Sequence, residues 1–180
     1  IQLADELQDS FEDKERGGFF FTSHDHEKLI QRSKSFMDDA LPSGNGVAAS
    51  VLGKLGHLLG DSRYLQTSES VLRAAWSSIN RYPSAHNALL HALEEHISPP
   101  KSVIILGETE ATSEWCSKFR ESHNPFNSLM ILPTNVSELP GRLSEYRADR
   151  SPVAYICDGY TCQEPIFNLD LINKNLNNSS

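Results

Sequence analysis

Two adjacent prolines, Pro99 and Pro100, divide the chain at the point where its apolar pattern changes. Proline fixes φ and lacks a donor, and it pushes the preceding residue toward extended backbone, so no regular element runs through the pair. Before it, apolar residues recur every three or four positions. After it, they gather in short β-rich runs. The change predicts two domains, a helical one over residues 1–98 and a small α/β unit over residues 101–180.

In the helical part, Ile1, Leu3, Ala4, Leu7 and Phe11 mark one face of a helix over residues 1–13. Three more helices follow residue 46. The first carries Val47, Val51, Leu52, Leu55, Leu58 and Leu59 on one face. The second runs from Ser62 to Tyr82 with Leu65, Leu72, Ala75, Trp76 and Ile79, and Pro83 closes it. The third starts at Ser84 as N-cap and holds Ala85, Ala88, Leu89, Ala92, Leu93 and Ile97. Short connections make such helices antiparallel neighbours.

Beyond the prolines, Ser102–Leu106 reads as a strand, Glu110–Arg120 as a helix, and Ser128–Leu132 as a second strand. Strand, helix, strand implies a βαβ unit and a small parallel sheet. Pro152–Cys157 reads as a third strand, Asp158-Gly159 as a turn, and residues 168–176 as a last short helix.

The formal charge is −8, and both halves are acidic, which excludes the basic footprint of a nucleic-acid binder and a polybasic membrane patch. The longest apolar run, Val103–Leu106, falls far short of the ~18 residues of a membrane span. Three cysteines, Cys116, Cys157 and Cys162, are an odd number, which favours reduced thiols and a cytoplasmic setting. The chain opens on Ile1 already in helical register, and the expectation is that an N-terminal region is missing. The triplets Asn135-Val136-Ser137 and Asn177-Asn178-Ser179 match the glycosylation sequon and carry no weight.

Residues 17–46, GGFFFTSHDHEKLIQRSKSFMDDALPSGNG, are the densest in chemistry. They are too long for an ordinary connection between helices, and such loops are where function concentrates. Phe19-Phe20-Phe21-Thr22 suggests a short strand or hairpin arm, and Glu27–Asp39 has room for one or two helical turns. Leu41–Gly46 reads as irregular.

Gly17-Gly18-Phe19-Phe20-Phe21-Thr22, Asp25, Leu29-Ile30-Gln31-Arg32-Ser33-Lys34 and Asp38-Asp39-Ala40-Leu41-Pro42-Ser43-Gly44-Asn45 together resemble one family. It is the thioredoxin-domain-containing proteins related to the spermatogenesis-associated protein and its bacterial counterparts. Pro152–Cys157 and Thr161-Cys162-Gln163-Glu164-Pro165 fit its C-terminal end. The resemblance implies a larger parent with an N-terminal thioredoxin-like domain followed by an (α/α)6 toroid. That toroid is similar to those of N-acylglucosamine 2-epimerases and six-hairpin glycosidases. On that resemblance this chain would be the C-terminal third or less, and its helix faces should be exposed where the parent buries them.

In such a toroid, end loops line a pocket. Arg32, Lys34, Asp38, Asp39, Ser43 and Asn45 would then suit a polyhydroxylated or carboxylated ligand through paired hydrogen bonds, with Phe20 as a stacking platform. The competing reading makes Asp39 and Ser43 helix caps, Arg32 and Lys34 members of surface pairs, and the phenylalanines core. No specific glycosidase pair emerges among Asp13, Glu15, Asp25, Glu27, Asp38 and Asp39. His24, His26, His57, His86, His91 and His96 give no epimerase motif. His24-Asp25-His26 supplies too few ligands for a metal, and Cys157 and Cys162 lack the C-x-x-C redox spacing, which leaves them as buried structural cysteines unless a hairpin brings them together.

The expectation is a mixed α+β fold. The chain would be a fragment, inactive by itself, of a protein whose toroid resembles sugar epimerases or glycosidases. The alternative is a non-catalytic ligand-binding or regulatory module coupled to a redox domain. No cofactor or metal is expected. The expected partners are a carbohydrate or other small molecule and the thioredoxin-like domain in cis, with self-association through exposed helix faces.

Overall fold

The computed structural model describes residues 1–27, 30–121, 127–135, 138–148 and 150–177. Its elements run α1 (Gln2–Phe11), α2 (Gly44–Leu59), α3 (Ser62–Arg81), α4 (Asn87–Ile97), β1 (Ser102–Leu106), α5 (Thr109–Glu121), β2 (Ser128–Leu132), β3 (Val153–Asp158), β4 (Thr161–Cys162) and α6 (Leu171–Asn177). Single 3-10 turns lie at Pro83–Ala85 and Gly141–Glu145. Helices and strands thus occur together in a mixed α+β chain. It divides into two compact units, residues 1–57 with 61–98, and residues 58–60 with 99–180.

In the helical unit, α3 buries Tyr64, Ser68, Val71, Leu72, Ala75 and Ile79, a stripe of helical period facing α4, which buries Leu89, Ala92 and Glu95. Trp76, expected on the inner face, is exposed. Helix α2 turns its small residues inward. Asn45, Gly46, Ala48, Ala49 and Leu52 are buried, while Val47 and Val51 face out. A side-chain carbon on Gly46 would sit 2.6 Å from Ala88 Cβ, so close approach of α2 and α4 requires glycine there. Helix α1 buries no residue. Polar contacts hold it to α3, where Gln8 Nε2 donates to Thr67 Oγ1 at 2.6 Å and Tyr64 Oη donates to Asp5 Oδ1 at 2.5 Å.

Two of the differences from the helix limits read in the sequence bear on the candidate site. Leu41–Gly46 is not wholly irregular, since α2 begins at Gly44; the Ser43 hydroxyl accepts from Gly46 N–H at 3.2 Å and caps it. Ser84 is not the N-cap of the last helix of the unit. It lies inside the Pro83–Ala85 turn, and α4 begins at Asn87.

The α/β unit, among the described residues, forms a four-stranded sheet in the order β2-β1-β3-β4. Strands β1 and β2 pair in parallel, as the strand–helix–strand pattern implies. The sheet is not purely parallel, because β3 joins the other edge of β1 antiparallel and β4 returns antiparallel along β3. Val103, Ile105, Trp115, Phe119, Ile156, Ile166, Ile172 and Leu176 form one apolar cluster between the sheet, α5 and α6. Cys116 is buried as a free thiol. Cys157 and Cys162 are joined as a disulfide, which corrects the expectation of reduced structural cysteines. The β3–β4 register places the two directly opposite.

Among the described residues no helix is long and apolar enough to cross a membrane.

Candidate functional site

The chain leaves α1 through a turn organised by Asp13, whose Oδ1 accepts from the N–H groups of Glu15 and Arg16 at 3.2 and 3.0 Å. Gly17 and Gly18, at φ +74° and +80°, complete the reversal; this left-handed backbone favours glycine. Phe19 then pairs antiparallel with Glu12 through one isolated bridge. The expected hairpin arm is therefore a single rung. Phe19 is buried, Phe20 half-buried and Phe21 74% exposed.

No helical turn forms among the described residues of 27–39. The segment from Gln31 to Asp38 is an extended strap, in which Arg32, Lys34, Phe36 and Asp38 are half-buried and the alternate residues exposed. This period of two is that of an extended chain against a surface. It explains why the helical reading failed: the charged residues at even positions all find partners on the body of the unit.

The Arg32 guanidinium lies 4.0 Å from the centre of the Phe20 ring. It donates to Thr22 O and, at 3.0 Å, to His24 Nδ1. That bond leaves the His24 proton on Nε2, which donates to Glu12 O at 3.1 Å. Lys34 Nζ donates to Asp13 Oδ2 at 2.6 Å and to Gly17 O at 2.8 Å, so it anchors the strap to the glycine turn. Burial pushes the Asp13 carboxyl up, but the Lys34 hydrogen bond and the N–H groups of Arg16 and Glu15 outweigh it and hold it below the ordinary value.

Asp38 reaches two helix N-termini. Its Oδ1 accepts from Ser43 N–H at 2.8 Å, just before α2, and its Oδ2 accepts from Ala88 N–H at 2.9 Å, in the first turn of α4. His86, the residue at the head of α4, makes no side-chain cap, so a carboxylate 50 residues away in sequence supplies one. Burial again raises its pKa, and the N–H bonds from Ser43 and Ala88 bring it below the ordinary value. The positive ends of two helix dipoles favour the same ionised form.

Asn45 is 4% exposed. Its amide pairs with both backbone groups of Phe19, accepting at 2.7 Å and donating at 3.0 Å, and also donates to Ser35 O at 2.9 Å. It thus acts as a short strand partner set on a helix. Asp39 is exposed, and its own N–H donates to Leu41 O at 3.1 Å.

The seven residues singled out from the sequence therefore fall in one region, where Lys34, Asp38 and Asn45 are hydrogen-bonded by their own chain. Phe20 and Asn45 line a groove of about 520 Å³ with Leu3, Leu7, Val47 and Val51. Its wall is apolar. Sequence reasoning missed this groove because helical spacing puts Val47 and Val51 on one face with Leu52 and Leu59, which are buried. It also missed a cluster on facing helices around the buried Glu95, which accepts from Ser50 Oγ at 2.6 Å and pairs with the exposed Lys54 at 2.7 Å and His91 at 3.1 Å. The spacing of Ser50 and Lys54, and of His91 and Glu95, is the available signal, since residues four apart share a helix face. His86 is fully buried and satisfied, with Nδ1 donating to Tyr82 O at 2.8 Å and Nε2 accepting from Ser78 Oγ at 2.9 Å. Among the described residues, no group of three or more His, Cys, Asp and Glu side chains is placed to hold a metal ion. Leu29, part of the family-like segment, lies outside the described residues.

Spermatogenesis-associated protein 20 of Homo sapiens is 25% identical to the chain over 174 residues, covering 92% of this chain and 22% of the relative. The Rattus norvegicus protein of the same name matches at the same identity and coverage. The similarity supports a relation to the spermatogenesis-associated protein family. No protein-family model and no solved structure matches the chain. The chain spans 22% of the length of these relatives.

Proposed function

We propose that residues 1–98 are a wall segment of a larger (α/α)6 toroid and that the chain has no catalytic activity of its own. In this reading the parent follows the order implied by the family likeness, with a thioredoxin-like domain in cis and a toroid resembling those of sugar epimerases and glycosidases. Carbohydrate recognition, and a cytoplasmic setting, belong to that parent. One observation carries the reading. Lys34, Asp38 and Asn45, the best polar ligand candidates, are each engaged by their own chain, whereas the neighbouring groove presents apolar side chains of the kind one helix offers another. Leu3 and Phe21, both strongly exposed there, fit a face that a further helix covers. The same face favours self-association of the isolated chain.

A thermal-shift screen of this chain against a sugar library tests the proposal. No sugar should raise Tm. Saturable stabilisation by one sugar, abolished by Lys34→Met at unchanged fold, would instead establish a carbohydrate site in residues 17–46.

A further inference from the structure

The disulfide of the α/β unit closes almost no loop. Its cysteines are separated by 5 positions, and backbone pairing already closes the same hairpin through Asp158 with Thr161 and through Gln163 N–H donating to Ile156 O at 2.9 Å. A cross-link stabilises mainly in proportion to the chain entropy it removes, so this one contributes little as a staple.

Its surroundings are asymmetric. Cys157, on β3, is 4% exposed. Cys162 lies on the two-residue strand β4 at the edge of the sheet and is only half-buried. The Tyr146 hydroxyl lies 3.2 Å from each sulfur. Neither sulfur of a disulfide carries a proton, so the phenol is the donor, with its single proton shared between the two sulfurs or given to one of them. Tyr146 is held in place by Tyr155, whose ring centre lies 4.7 Å from its own and whose hydroxyl donates to Arg147 O at 2.7 Å. Burial pushes the Tyr146 pKa up, which keeps the donor proton in place at the pH where thiolates react.

We propose that Cys157–Cys162 is a thiol–disulfide exchange site for a dithiol, with attack at Cys162 and Tyr146 as hydrogen-bond donor to the departing Cys157 thiolate. The dithiol's first thiolate uses a sulfur lone pair to form a bond to Cys162 Sγ. The Cys157–Cys162 bond breaks, and its electron pair leaves on Cys157 Sγ, which takes up a proton from water. The second thiolate of the reagent then attacks the reagent's own sulfur in the mixed disulfide. Cys162 leaves as a thiolate and is protonated in turn. The protein gains two electrons and two protons, and the dithiol becomes a cyclic disulfide. A hydrogen bond aimed at the sulfur where charge develops lowers the barrier to the first step.

The test uses the intact, oxidised chain with dithiothreitol as probe, acid quenching, alkylation and peptide mass mapping. Buried Cys116 serves as an internal reporter of unfolding. Cys157 and Cys162 should become labelled together while Cys116 stays unlabelled. Reduction that occurs only as Cys116 is labelled would overturn the proposal. A short exposure to glutathione, a monothiol, should leave the adduct on Cys162 and the alkyl label on Cys157; an adduct on Cys157 would also overturn it. Tyr146→Phe keeps the ring and should slow reduction about tenfold, roughly the effect of one hydrogen bond to a charged group. An unchanged rate in that variant would remove Tyr146 from the step. The adduct position is read on the unmodified chain and needs no variant to fold.

Discussion

The α/β unit is held by one apolar cluster, whereas the helical unit adds a set of polar tethers to its apolar core. In the α/β unit, ten residues of one apolar cluster, among them Val103, Ile105, Trp115 and Ile156, join sheet to helices. In the helical unit, the apolar stripe between α3 and α4 is supplemented by polar contacts distant in sequence: Asp38 to α2 and α4, Asn45 to Phe19, Lys34 to Asp13, and Gln8 and Asp5 to α3. Apolar burial is non-directional, and hydrogen bonds are directional. The first kind of core forms a layer. The second can fix an extended strap that has no regular structure of its own.

The largest effect is expected in the apolar unit. Ile105 is fully buried, and Ile105→Ala should cost about 2–5 kcal/mol, read by urea denaturation of the chain. A loss below 1 kcal/mol would break the contrast from that side. Asp38→Ala should cost less, about 2 kcal/mol, because two backbone N–H groups at helix starts lose their acceptor while water can reach part of the site. Asp38→Asn, which keeps one acceptor oxygen, should recover about half of that loss.

Acid should act on the same contacts. In the folded chain the carboxyls of Asp13 and Asp38 are held below the ordinary aspartate value of 3.8. Their contribution is therefore present above 3.8 and is lost as pH falls through the lower, folded values. Urea midpoints measured from pH 6 to pH 2 should drop in that window, and the drop should shrink in Asp38→Asn. A drop centred well above pH 4 would point to other groups. The smallest effect belongs to the open groove. Phe21→Ser should change stability of the chain by less than about 0.5 kcal/mol, since Phe21 is 74% exposed, while reducing any self-association seen by analytical ultracentrifugation.

The apolar unit was the more legible in sequence. Ser102–Leu106 and Ser128–Leu132 emerge with the limits read from their β-rich runs, because periodicity reports burial directly. The antiparallel return of β3 was not legible, since nothing in Pro152–Cys157 states which edge of β1 it joins. In the helical unit, α3 was read to within one residue of its end. The strap was misread, because Arg32, Lys34, Phe36 and Asp38 declare a period of two only once the partners they reach are known. The same holds for Val47 and Val51, whose apolar character is indistinguishable in sequence from that of a core residue. The residues of the candidate site were picked out as a group by their density of chemistry. Their tethering roles depend on Asp13, Phe19 and Ala88, which no local spacing connects to them.

The central claim is that Asp38 is a tether between the strap and two helix starts. Hydrogen exchange of the Asp38→Ala chain, followed by mass spectrometry, tests it most directly. The account predicts faster exchange at Ser43 and Ala88 and in the peptides around them, with β1 and β3 protected as in the unaltered chain. Unchanged protection at Ser43 and Ala88 would contradict it.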